Sequence, residues 1–387
     1  MPGSLTLRRY DRGVGLAEMA AKTPTSRDRT VDFLRAFSII TVILGHWFIA
    51  IILVREGRIG VISAIGATSG LWLGTWIFQV MPIFFFVGGF SNYVTFEAMR
   101  RRGEGYREFV GARAARLLSP TLIFLGLWLV VQVVLHVIDE GGEKLIRGSF
   151  LPFAPLWFLF VYIAIIAATP VMLRLHHRFG VGVPVALILA VAVVDTLRFA
   201  AEVPGIGWVN LASVWFFAHQ LGFFYADGSL VGLGKVKQLA LAGIGLAGLI
   251  VLTNIGVYPR SMLGTDVERV SNMNPPTACI MALTLWQVGL AMLLRERLQR
   301  WLAQPRVWMA VIAANAVIMT IFLWHMTAYV LAVLLLRPLG LADQTDTTTA
   351  WWLERPVWWI VPAAILAVFV VIFGRFERPR AATRSGA

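Results

Sequence analysis

The chain has 387 residues, of which 58% are hydrophobic and only 14% charged. That balance excludes a soluble domain with a polar surface. A formal net charge of +13 would suit nucleic acid, but the basic residues stand in short segments between apolar runs, which points to a membrane and to no nucleic-acid partner.

The single cysteine, Cys279, excludes an intrachain disulfide and any CxxC metal or redox motif. Mean hydropathy is +0.75. The first 30 residues are basic without an apolar core, so they do not read as a secretory signal peptide. Residues 1–31 read as a basic cytoplasmic arm, expected to be disordered. Residues 32–374 read as one transmembrane domain, and 375–387 as a basic cytoplasmic tail.

Ten apolar runs predict ten membrane spans: 36–54, 71–96, 117–137, 152–173, 181–197, 208–225, 237–253, 276–294, 308–332 and 356–374. The runs are continuous and do not alternate, which favours helices over a β-barrel. Pro170, Pro184 and Asp195 interrupt or shorten the fourth to sixth. With the N-terminus inside, 25 of the 34 basic residues fall on the cytoplasmic side and 9 outside. The expectation is an all-α polytopic membrane protein, a bundle of about ten transmembrane helices with both termini cytoplasmic. Asp139, Glu140, Glu143, Asp343 and Asp346 bring the outer face close to neutral.

In chain order, the first chemical stretch is Asp32-Phe33-Leu34-Arg35-Ala36, leading to Gly45-His46-Trp47. On a helix, Arg35 and His46 share a face roughly 16 Å apart along the axis, and Asp32 shares it too. An ionisable group at membrane depth marks a functional site or a helix–helix hydrogen bond. An imidazole there can serve as a general base without a permanent charge.

Next comes Met81-Pro82-Ile83-Phe84-Phe85-Phe86-Val87-Gly88-Gly89-Phe90-Ser91-Asn92-Tyr93. Pro82 is expected to bend the span. Gly88-Gly89 allows close helix approach, and Ser91 and Asn92 face the bundle or a cavity. Arg107, Arg113 and Arg116 follow. Arg113 and Arg116 share one side of a helix, where guanidiniums suit phosphate oxygens or anionic lipid headgroups.

The segment 254–275 reads as a plain connection or as a lid over an outward cavity. Asp195, His219 and His325 are weaker candidates. His136 and His176-His177 read as interfacial. No HExxH or similar spacing appears, so no metal is expected. The fifteen tryptophans, several in Trp351-Trp352 and Trp358-Trp359, read mainly as interfacial belts.

Together these motifs resemble the membrane-bound acyltransferase 3 family over most of the chain. Asp32 to Ala36 with Gly45-His46 is similar to the family's first-helix pattern of an Arg and a downstream His. Pro82 to Phe90 resembles the second-helix pattern, with Gly88 where the family usually has serine. Tyr106-Arg107-Glu108-Phe109 through Arg113-Ala114-Ala115-Arg116-Leu117-Leu118-Ser119-Pro120 resembles its paired-arginine motif. Leu156-Trp157-Phe158-Leu159 and Leu323-Trp324-His325 are similar to later motifs.

The resemblance implies acyl transfer, often of acetyl, from cytoplasmic acyl-CoA to a hydroxyl on a cell-envelope glycan, a glycolipid or a small molecule. It implies His46 as a catalytic residue and the paired arginines, with Arg107, as donor contacts. Arg35 and Asp32 would position the donor or tune the helix. No cofactor is expected to stay bound. The donor, the acceptor and membrane lipids are the expected partners. The expected location is the cell membrane, as a multi-pass protein of a bacterial inner or plasma membrane. A transporter or lipid flippase is the alternative, although it calls for carboxylates within spans and only Asp195 lies there.

Overall fold

Asp28 starts the first helix. Its carboxylate accepts from the Thr30 N–H at 2.9 Å and the Val31 N–H at 3.3 Å, which satisfies two of the donors left open at a helix start. Helix α1 then spans Arg29–Ile49. The computed structural model describes residues 18, 23–24, 27–55, 58–138, 151–341 and 346–377, without the side chains of 52–60 and 138. Most of the basic arm, the tail beyond 377, and Asp139, Glu140, Glu143 and Asp343 lie outside the described residues.

The first span was expected to reach residue 54, but α1 stops at Ile49. Ala50–Arg55 (β1) pairs antiparallel with Arg58–Ser63 (β2), in register from Ala50↔Ser63 to Arg55↔Arg58. An apolar run does not by itself separate helix from strand. Here Ile51, Ile52 and Val54 favour extended backbone.

The run 71–96 is also divided, into α2 (Trp72–Phe78) and α3 (Met81–Arg101). Pro82 breaks the span instead of bending it, because it falls in the first turn of α3, where no N–H is needed. Helix α4 (Tyr106–Ile138) and α5 (Leu156–Phe179) run through Pro120 and Pro170 respectively. Helices α6 (Gly182–Phe199), α7 (Asn210–Ala226), α8 (Gly234–Leu252) and α9 (Ala278–Leu302) follow.

The run 308–332 is split at Val317 into α10 (Pro305–Ala316) and α11 (Ile318–Leu336). Glu377, just past α12 (Thr349–Phe373), explains the break. Its carboxylate accepts from the N–H of Met319 at 2.9 Å and of Thr320 at 3.0 Å, and from the Thr320 hydroxyl at 3.0 Å. Burial pushes the Glu377 carboxyl above its ordinary range, while these donors and the nearby Arg116 charge pull it back.

Among the described residues, nine helical stretches are long and apolar enough to cross a membrane. Helix α7, at 17 residues, adds a shorter and mostly buried one. The protein is an all-α polytopic membrane protein with one small hairpin.

Glycines set the closest crossings. A methyl group at Gly89 would overlap the His219 carbonyl, and one at Gly222 the Phe86 carbonyl, so α3 and α7 meet backbone to backbone. Phe85 stacks on Trp215 beside that crossing, with centroids 4.5 Å apart. Gly245 and Gly289 bring α8 against α9 in the same way.

The segment 254–275 is more than a plain connection. Trp76 Nε1 donates to the Arg260 carbonyl at 2.9 Å, Met262 N–H to Thr75 Oγ1 at 2.9 Å, and Ser63 N–H to Asp266 Oδ2 at 2.8 Å. Inside it, Asn272 Nδ2 donates to the carbonyls of Pro259 and Ser261. The Tyr258 hydroxyl donates to Asp195 at 2.9 Å, and burial together with that carboxylate raises its pKa. The segment therefore covers the end of the bundle that carries α2 and the hairpin.

The Gly89 crossing is directly testable. Gly89→Ala is expected to cost about 1–3 kcal/mol or more by overpacking and to lower the thermal unfolding midpoint in detergent. Gly111→Ala faces open space and should leave the midpoint unchanged. Equal midpoints for the two variants would overturn the packing account.

Candidate active site

His46 lies three turns into the apolar part of α1, one turn before the hairpin. Helix α11 carries His325 to it. His46 Nδ1 and His325 Nε2 are 2.9 Å apart, and the rings stack at 5.2 Å between centroids with 13° between planes. His325 is fully buried, whereas His46 is half-buried. Trp47 Nε1 donates to the His325 carbonyl at 3.1 Å and fixes that turn of α11.

The hydrogen bonds assign the tautomers. His325 Nδ1 lies 2.6 Å from the Phe322 carbonyl, which can only accept, so His325 Nδ1 carries a proton. In an apolar bundle both rings are held neutral. His325 Nε2 is then bare and accepts from His46 Nδ1–H. That leaves the lone pair of His46 on Nε2, away from the partner ring. A chain of three groups thus fixes the orientation of one imidazole, an arrangement that can serve general-base chemistry.

Arg35 stands three turns below His46 on α1. Its Nη1 donates to Asp32 Oδ1 at 3.1 Å and its Nη2 to Ser91 Oγ at 2.7 Å. Asp32 is 6% exposed, and its other oxygen accepts from Arg27 Nε at 2.6 Å. Asn315 Nδ2 donates to the Asp32 carbonyl at 2.9 Å, tying α10 to the same turn. Asp32 is therefore spent on holding two guanidiniums, which makes it a positioning residue for Arg35.

Arg113 reaches the same region from α4. Its Nε donates to Asn92 Oδ1 at 3.0 Å, and its Nη2 makes a second, shorter bond to the same atom. Asn92 is fully buried and uses its amide to donate to His219 Nε2 at 3.0 Å. Arg116 is exposed. Arg35, Arg113 and Arg116 lie close enough for their charges to act on one another, with the Tyr162 phenol among them. Asp32 and Glu377 offset part of this charge, and the excess of guanidinium forks suits a phosphate. Arg107 is exposed near the start of α4, about 9 Å along the helix axis from Arg113.

Gly88 explains the place of Tyr162. A Cβ at Gly88 would lie 2.7 Å from Tyr162 Cε2 and 3.2 Å from its hydroxyl. Where a serine would stand, the phenol ring of α5 fills the space instead. In the sequence His325 is a weaker candidate than His46, and Tyr162 carries no signal. Nothing in a one-dimensional pattern links positions 279 residues apart, although the Leu323-Trp324-His325 motif marked the partner.

Other candidates settle into structure. His176 was read as interfacial but is buried. It accepts from Gln220 Nε2 at 2.7 Å and donates to Asp227 at 3.1 Å. Asp195 is held by Asn210 at 2.7 Å, by Tyr258 and by the Ala278 N–H at 2.9 Å. The Asp195 carboxylate is thereby engaged by the fold. Among the described residues, no group of three or more His, Cys, Asp or Glu side chains is arranged to hold a metal.

Fold and site together define a multi-pass helical membrane protein that joins an arginine cluster at one level to a histidine pair deeper in the bundle. A family model described as an acyltransferase domain matches residues 28–374, and the chain belongs to this membrane-bound acyltransferase 3 family. No curated protein and no solved structure matches it. It is a membrane acyltransferase.

The tautomer assignment has a direct test. In 15N NMR of histidine-labelled protein, the resonances of His46 and His325 should both show protonated Nδ1 and bare Nε2. A proton found on His46 Nε2 would overturn the orientation.

Proposed function

We propose that the protein moves an acyl group, acetyl in the simplest case, from cytoplasmic acyl-CoA to an acceptor hydroxyl. The acceptor class is a cell-envelope glycan, a glycolipid or a small molecule, and the setting is the cell membrane. The observation that carries the reading is the separation of Arg35 from His46 on one helix face. Eleven residues place them roughly 16 Å apart, a span that suits the extended arm between the phosphates of CoA and its thioester.

Arg35, Arg113 and Arg116 supply guanidiniums for the donor phosphates. Arg107, further out on the same helix, suits a first contact with the arriving anion. Tyr162 offers a hydroxyl among them. The distribution of basic residues supports a cytoplasmic setting for this end of the bundle, the side from which acyl-CoA would arrive.

At the other end of the donor, His46 Nε2 takes the proton of the acceptor hydroxyl as its oxygen attacks the thioester carbonyl. The bond to sulfur breaks as the tetrahedral intermediate collapses. The CoA sulfur then receives the proton from His46, and the ester is released. While His46 carries both protons, its Nδ1–H still donates to His325, so the pair steadies the transient charge. Asp32 holds Arg35 in line. Direct transfer needs no acyl-enzyme, and the orientation of His46 serves it without one.

Labelled acetyl-CoA added to membranes tests the mechanism, with label counted in glycan, lipid and small-molecule fractions. His46→Ala is expected to lower turnover by about 10²–10⁴-fold. Arg116→Ala is expected to raise the donor KM and leave turnover nearly unchanged. Full activity in His46→Ala would sink the proposal. A reporter fused at position 265 is expected to read as external, and a cytoplasmic reading would overturn the topology.

A further inference from the structure

The start of α8 and the end of α9 meet at the end of the bundle where α1 begins. Arg29 Nη1 donates to the Leu302 carbonyl at 2.9 Å, and the Trp301 ring meets the Phe33 ring edge-on with centroids 5.4 Å apart. Arg295 Nε donates to the Tyr225 hydroxyl at 2.9 Å, which in turn donates to Asp28 at 2.6 Å. Beside these contacts lies a cavity of about 470 Å³, lined by Lys235 of α8 and by Leu293, Leu294, Glu296, Arg297 and Arg300 of α9. That volume is in the range of ordinary ligand sites.

The charges in this cavity do not cancel. Lys235 Nζ donates to Glu296 at 3.2 Å, which engages the carboxylate of the lining. Arg297 and Arg300 are exposed and, among the described residues, make no ion pair or side-chain hydrogen bond. Three residues apart on a helix, they share a side. Two guanidiniums side by side suit one phosphate.

The walls indicate which phosphate. Gly289 of α9 packs against Ala242 of α8. Counted by helical rotation from that contact, Val236 and Leu239 of α8 and Leu290 and Leu294 of α9 fall on the same flank as Arg297. All four are exposed. An apolar strip therefore leads from the basic cavity into the depth of the membrane along one side of the helix pair. A free anion leaves that strip unused, whereas a headgroup phosphate carries acyl chains that lie along it.

We infer that this cavity is a binding site for an anionic phospholipid. Arg297 and Arg300 hold the headgroup phosphate, and the acyl chains follow the strip formed by Leu239, Leu290 and Leu294. Neither arginine is among the guanidiniums assigned to the donor.

The test uses full-length protein in neutral detergent, stripped of lipid and titrated with phosphatidylglycerol or phosphatidylcholine while bound lipid is counted by native mass spectrometry. Wild type is expected to bind its first phosphatidylglycerol about tenfold more tightly than phosphatidylcholine. Arg297→Gln combined with Arg300→Gln should abolish that preference. Arg174→Gln combined with Arg178→Gln, which takes two exposed cations from the end of α5, should keep it. Equal loss in the two double variants would mean general attraction to a basic surface and would overturn the site, as would the lack of a preference in wild type. Inorganic phosphate and acetyl-CoA are added as competitors. Displacement of the lipid by millimolar phosphate would assign the cavity to a free anion, and displacement by acetyl-CoA would assign it to the donor, and either overturns the lipid site. A phosphatidylglycerol with a photoreactive acyl chain, in nanodiscs of the wild type, locates the chains without any variant. Adducts within 236–239 or 290–294 are expected, and adducts confined to other helices would overturn the assignment.

Discussion

The hydrogen bond from His46 to His325 is the constraint that the rest of the site depends on. It joins the first long helix to α11 in an interior where an unpaired polar group is costly. The Phe322 carbonyl fixes one ring, that ring fixes the next, and the last lone pair, on His46 Nε2, points away from both. Remove His325 and His46 keeps its place on α1 but loses its tautomer. The break in the helical run at Val317 matters for the same reason. It sets where α11 begins, and Glu377 secures that start by accepting from Met319 and Thr320.

The arginines follow the opposite logic. Asp32 and Ser91 satisfy part of Arg35, and Asn92 part of Arg113. The chain holds these groups in place without neutralising the set, because Asp32 also serves Arg27. A positive cluster with some unused donors is suited to an incoming anion. Asn92 carries the fixation further by donating to His219, whose backbone lies against Gly89. Packing at the glycine crossing and orientation of Arg113 thus depend on one another.

A polar network in a bundle can be read through its partners. Asp195 is held by three donors and anchors the covering segment through Tyr258. Arg355, as deeply placed, bonds the Trp351 carbonyl and the Tyr329 hydroxyl.

Composition and charge determined the class of protein. Apolar runs of spanning length between basic segments allow few structures other than a helical bundle in a membrane. The eleven-residue spacing of Arg35 and His46 also stands in the sequence, because a helix turns spacing into direction. The paired arginines and Leu323-Trp324-His325 marked the family, whose membership the match over residues 28–374 established. Local hydropathy did not locate the helix ends at Ile49, Gln79 and Val317, since strands, helix starts and helix breaks share the same apolar residues. Tertiary structure alone decided that His325 completes His46, that Tyr162 fills the space at Gly88, and that Arg355 bonds the Tyr329 hydroxyl. Each is a contact between helices far apart in the chain, and the apolar pattern of a membrane span does not encode which neighbour it meets. That choice is made where glycines let backbones touch and where each buried polar group finds its partner.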